Sequence, residues 1–207
     1  MGNSTTLRIA IYAMLFASII LHEISHGWSA LALGDDTAKR AGRLSLNPIV
    51  HVDLLGTIIV PAVLIISHSG FVFGWAKPVP VNVGRLRHPR NGAVVTGLAG
   101  PATNIVLAAL ACVAFHLTQP VTYWPFNLLF YFGLLNVYLA AFNLMPIPPL
   151  DGSSVVERLL PKSWWGPYLA IRPYTLLVVF ALIFLGSRTG VLNAFYNDIT
   201  QLWINVL

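Results

Sequence analysis

The sequence predicts an all-α polytopic membrane protein with about five to six transmembrane or re-entrant helices and a short extended or hairpin segment near residues 70–85. Three observations carry this. Of 207 residues, 57% are hydrophobic and only 9% are charged, against about 25% charged in soluble domains. Mean hydropathy is +0.74, and the apolar residues gather in runs near the length that crosses a bilayer core. Prolines and basic residues concentrate in the breaks between those runs. The net charge of +5 comes from twelve Lys and Arg scattered between apolar runs. They form no face for nucleic acid and act as topology signals on short loops. The single cysteine, Cys112, excludes an intramolecular disulfide.

Residues 9–33 form the first span, read as uncleaved because "MGNSTTLR" leads into it without a small-residue cleavage site. Gly34 is its C-cap candidate, and "GDDTAKRAGR" is a polar loop. A second apolar segment covers about 50–67, opened by "NPIVHVD". The stretch "GFVFGWAKPVPVNVGRLRHPR" has no helical period and reads as extended or hairpin-like, a candidate edge for an extended partner segment. Spans follow at about 92–117 and 126–145. Pro146, Pro148 and Pro149 break the chain before a helix resumes from about 150. A last span runs about 169–186, and the alternating tail 190–207 reads as an amphipathic interfacial segment. Neither repeats nor linkers divide residues 1–207, which read as a single domain.

Lys and Arg number three in 34–49, four in 68–91 and three in 146–172, with none in 118–125. The positive-inside rule makes those three regions cytoplasmic and puts the N-terminus outside. Both ends of 50–67 then lie on one side. That segment either re-enters, or it spans and the following stretch returns as non-helical chain, which survives at depth only buried in protein or lining a wet cavity.

Inside the first span stands "LHEISHGW". Ionisable groups at bilayer depth cost about 2–3 kcal/mol or more each, so an idle HExxH is expensive there. On a helix, His22 and His26 project from one face and can share a metal ion, while Glu23 can take a proton from a metal-bound water. In a soluble helix the same motif is more often a solvated polar turn. A catalytic zinc takes three protein ligands. Asp35 and Asp36 read as solvated loop residues, Asp198 as interfacial, and Glu157 as a partner of Lys162 or Arg158. His68, His88 and His116 flank apolar ends. His51, Asp53 and Asp151 remain, and Asp151 in "PIPPLDG" is favoured as third ligand because nothing nearby in sequence neutralises it. Its other reading is a helix N-cap before "GSSVVERLL".

Together with HExxH, "GLAGPATN" (97–104) and "NLMPIPPLDG" (143–152) resemble the site-2 protease family of intramembrane zinc metalloproteases. "GRLSLNPIVHVDLLGT" (42–57) and "GWAKPVPVN" (74–82) are similar to its compact bacterial branch without a PDZ domain. The resemblance implies one Zn2+ per chain held by His22, His26 and Asp151, with Glu23 as general base. It implies that Asn104 or Asn143 helps bind the substrate backbone or the oxyanion. It also implies an endopeptidase in the bacterial inner membrane, cutting single-span or otherwise membrane-embedded protein substrates; a rise of about 1.5 Å per residue from an outside N-terminus puts the site nearer the cytoplasmic face. The partners expected are that substrate and the lipid bilayer, not nucleic acid. A metal-ion or solute transporter is the alternative, since Pro-broken helices with polar residues also mark ion pathways; a carrier would need no glutamate beside its ligand.

Overall fold

The structure is a computed structural model that describes residues 2–207, apart from 67–73, 120, 171, 175–176, 178–180, 182–183 and 187. Helices α1 (Gly2–Ala32), α2 (Thr37–Arg40), α3 (Val60–Ile66), α4 (Pro89–Thr118), α5 (Tyr123–Asn143), α6 (Ser153–Leu159), α7 (Lys162–Leu169) and α8 (Val191–Val206) follow in order, and no strand occurs among the described residues. Three helical stretches, Thr5–Ala32, Pro89–Thr118 and Tyr123–Asn143, are long and apolar enough to cross a membrane. They coincide within a few residues with the first, third and fourth runs read from sequence. Eight of the eighteen residues of the expected last span, 169–186, lie outside the described set.

Two compact units divide the chain: residues 16–100, and residues 1–15 with 101–207. In the first, α1 and α2 end in the same way. Gly34 and Gly42 adopt left-handed backbone, with φ of +105° and +65°. The N–H of Asp35 bonds Ala30 O and that of Gly34 bonds Leu31 O; Arg43 to Ala38 and Gly42 to Lys39 repeat the pattern. These are Schellman caps, which glycine closes without a Cβ penalty. Each turns the next charged side chain inward, so that Asp35 and Arg43 are both buried.

Asp35 was expected to be solvated, and the structure corrects this. Its carboxylate accepts from the Thr37 N–H at 3.0 Å, the Thr37 hydroxyl and the Asn82 N–H at 2.6 Å, with Arg85 Nε 3.8 Å away. Asp36 pairs with Arg40 and with Arg85. The polar loop is thereby tied to the chain around residue 82 and is no free surface loop.

The segment 50–67 resolves into a turn (Pro48–His51), a six-residue π-helical turn (Leu54–Ile59) and the seven residues of α3. The last two rise about 20 Å together, short of the roughly 30 Å hydrocarbon core. Asp53 caps the π turn, accepting from the Gly56 N–H at 2.7 Å. Residues 74–82 form neither helix nor strand, and 70–73 of the expected hairpin lie outside the described residues. The N–H groups of Trp75 and Lys77 bond the carbonyls of Gly56 and His51 at 3.1 and 2.9 Å. Pro78 and Pro80 carry no N–H, so this segment is a poor donor edge for an added strand.

In the second unit, Ala108 and Ala111 of α4, Leu134 of α5, and Ile199 and Trp203 of α8 form one buried cluster. Trp203 Nε1 donates to Phe130 O at 3.1 Å, which pins the tail helix through its one polar indole atom. The tail, expected as an amphipathic interfacial segment, is a helix that packs Ile199 and Trp203 into this cluster, while Leu202, Ile204 and Val206 are exposed.

Burial raises the Asp35 pKa, but the hydrogen bonds from Thr37 and Asn82 and the Arg85 charge outweigh it, so the group titrates below its ordinary 3.8. A depressed carboxyl pKa stabilises the fold above the unfolded value and loses that contribution as pH falls through the folded one. Asp35→Ala should therefore cost about 2–4 kcal/mol at neutral pH. The same variant should flatten the loss of stability below about pH 4, both read from unfolding transitions in detergent.

Candidate metal centre

His22 and His26 lie one turn apart on α1, 6% and 9% exposed respectively. Carbonyls only accept, so the 2.7 Å contact between His26 Nδ1 and Thr96 O places the ring proton on Nδ1. This leaves the Nε2 lone pair of His26 facing His22, whose Nε2 is 3.2 Å away. Two nitrogens on one tetrahedral zinc, each about 2.0–2.1 Å from it, stand about 3.3 Å apart. The donor pair therefore fits zinc with little movement, and Thr96 supplies the outer contact that fixes the tautomer.

α4 passes directly behind the rings. A Cβ built on Gly100 would sit 2.5 Å from His22 Cε1 and 2.5 Å from His26 Nε2. The second glycine of "GLAGPATN" is therefore the clearance that lets the helix backbone approach the imidazoles. Glu23, half-buried beside His22, accepts from the Val79 N–H through Oε2 at 3.0 Å.

The competing ligands have other employment. Asp53 caps the π turn. His51 is fully buried, with Nε2 at 2.8 Å from Ser45 O, and braces the "GRLSLNP" segment. His116 contacts Val206 O at 3.3 Å, and His68 lies outside the described residues.

Within the other unit, Asp151 is half-buried on the turn after α5, and its Oδ2 is buried. The turn closes when the Gly152 N–H bonds Asn143 O at 2.7 Å. A Cβ on Gly152 would meet Leu144 O at 2.2 Å, which explains the Asp-Gly pair sterically. The N-cap reading of Asp151 is corrected: Gly152 caps α6, and the N–H groups of Ser153, Ser154 and Val155 bond the carbonyls of Leu150, Asp151 and Gly152. Asn143 donates its amide to Leu139 O, one turn back in its own helix. Asn104, fully buried, donates to Asn136 Oδ1 at 2.8 Å, and Asn136 donates to Phe132 O. Asn136 escaped the sequence reading, although an amide in the apolar run "FYFGLLNVYLAAF" is the signal that would have found it.

A paired-imidazole HExxH helix in an apolar chain defines a membrane zinc metalloprotease, and the comparisons agree. The family model described as Peptidase family M50 matches residues 119–186. A Bacillus subtilis protein named "Putative zinc metalloprotease YwhC" is 36% identical over 91% of this chain and 88% of its own length. "Putative zinc metalloprotease Rip2" of Mycolicibacterium smegmatis is 32% identical over 76% of this chain and 63% of its own. "Zinc metalloprotease MJ0392" of Methanocaldococcus jannaschii is 23% identical over 78% and 38%. No solved structure matches the chain. The chain belongs to peptidase family M50, the site-2 protease family, and is an integral membrane protein with a zinc cofactor.

The Gly100 contact sets a direct test. Gly100→Ala must displace one or both imidazoles. It should weaken zinc binding by about tenfold or more, measured by competition with a chromogenic chelator on purified protein.

Proposed function

We propose that this chain is an intramembrane endopeptidase that hydrolyses peptide bonds within or near the transmembrane segments of membrane-protein substrates, in a bacterial inner membrane, with its site towards the cytoplasmic side. The observation that carries the reading is the His22–His26 Nε2 pair at 3.2 Å with Glu23 as the next residue along the same helix. His22, His26 and Asp151 are the assigned zinc ligands. Asp151 is preferred to Asp53 on its motif, and because Asp53 already caps the π turn.

Zinc bound there supplies Lewis-acid activation of a water and of the scissile carbonyl. The chain's own groups do the rest. Glu23 takes the proton of the attacking water and passes it to the leaving amine. The Val79 N–H occupies Oε2 of Glu23, which leaves Oε1 for that proton. Thr96 O holds the Nδ1 proton of His26, which directs its Nε2 towards the metal. Asn104 is assigned to the substrate backbone or oxyanion; one of its two amide hydrogens goes to Asn136, an arrangement that fixes the direction of the other. Asn143 is the weaker candidate, since its amide bonds its own helix.

Co-expression with a single-span candidate substrate tests this. Wild type should cut inside the span. Glu23→Gln should retain zinc and lose about 10²–10⁴-fold in rate; equal cutting by the two would sink the protease reading. Separately, Asp151→Ala should lose zinc while Asp53→Ala keeps it, read by metal analysis. The reverse pattern would move the third ligand to Asp53.

A further inference from the structure

Arg43 entered the sequence reading only as a loop charge. In the structure it is 8% exposed, turned inward by the Schellman cap at Gly42. Its Nη2 donates to the carbonyl oxygens of Lys77 at 2.9 Å and Pro78 at 3.3 Å. The Pro78 carbonyl and the Val79 N–H belong to one peptide unit, and that N–H is the one that holds Glu23 Oε2 at 3.0 Å. The only cis peptide among the described residues is Pro148–Pro149, so the 78–79 unit is trans. In a trans peptide the C=O and N–H point in opposite directions. This one amide therefore has a guanidinium at its oxygen and a carboxylate at its nitrogen. Both charges lie along its dipole and strengthen both hydrogen bonds.

The segment has little slack. Pro78 and Pro80 fix φ on either side of Val79. The Lys77 N–H is bonded to His51 O. Val79 is buried, and a Cβ on Gly27 of α1 would sit 2.9 Å from its Cγ1.

We infer that Arg43 is a positioning residue for Glu23, acting through the Pro78–Val79 amide; the inference rests on the reading of Glu23 as general base. The motifs "GRLSLNP" and "AKPVPVN" meet at this contact. Without Arg43 the amide loses its anchor, and Glu23 loses the fixed donor that selects its rotamer.

The test uses the full-length, zinc-loaded protein in micelles with a fluorogenic transmembrane peptide. Arg43→Gln should lower kcat by about 10- to 100-fold, with KM within about twofold and zinc per chain unchanged. Arg43→Lys should recover part of the loss, since an ammonium reaches a single carbonyl. A readout independent of turnover comes from labelling proline carbonyl carbon and valine nitrogen, which leaves signals only from Pro78–Val79, Pro80–Val81 and Pro120–Val121. The Val79 amide proton should move upfield in Arg43→Gln and in Glu23→Gln alike. If Arg43→Gln does not fold, Arg43→Lys must still show a lowered kcat and the Val79 shift. Wild-type kcat, an unmoved Val79 resonance, or a rate loss matched by lost zinc or raised KM overturns the inference. An inactive wild type or an active Glu23→Gln instead strikes the endopeptidase reading. An active wild type, inactive Glu23→Gln and wild-type-like Arg43→Gln defeats the positioning role alone.

Discussion

The bond from His26 Nδ1 to the Thr96 carbonyl, 2.7 Å long, is the contact on which the metal centre depends. It fixes a tautomer, and with it the direction of the lone pair that meets His22. It also draws α4 so near to α1 that only glycine fits at position 100. Polar groups in an apolar helix are expensive unless each has a partner. Here the partners are backbone groups: Thr96 O for His26 and the Val79 N–H for Glu23. Backbone donors and acceptors bring no titratable charge of their own, so the site keeps its charge for metal and substrate.

The irregular chain between α3 and α4 is held by the same accounting. Non-helical backbone in an apolar setting must have its N–H and C=O groups satisfied inside the protein. Trp75 and Lys77 bond backbone carbonyls, Val79 bonds Glu23, and Asn82 bonds the buried Asp35. Arg43 answers the carbonyls of Lys77 and Pro78. Two buried charges of opposite sign, each delivered by a glycine-capped helix end, thus organise this stretch at its two ends. A purely apolar loop could not do this, because it would leave the proline-flanked carbonyls without donors.

Much of this was legible in the sequence, for physical reasons that differ by element. The long helices announce themselves by length and hydropathy, which is why α4 and α5 match the runs read from sequence to within three residues and α1 ends within one residue of its run, though it begins seven earlier. His22, Glu23 and His26 stood out because desolvation makes them costly. Asp35 and Arg43 did not, since a charge in a polar loop looks solvated until the chain that covers it is known. The cap reading of Asp151 failed and Asp53 proved to be a cap in part for the same reason: capping depends on whose N–H groups are left over, and the backbone of 150–155 satisfies its own. Asn136 was missed although the rule that found His22 applies equally to an amide in α5.

X-ray absorption at the zinc edge of the purified protein tests the central claim most directly. His22 and His26 as ligands predict two imidazole nitrogens at about 2.0–2.1 Å, no sulfur, and a spectrum lost in a His22→Ala, His26→Ala double variant. A sulfur shell near 2.3 Å, or a zinc spectrum unchanged in that variant, would contradict it.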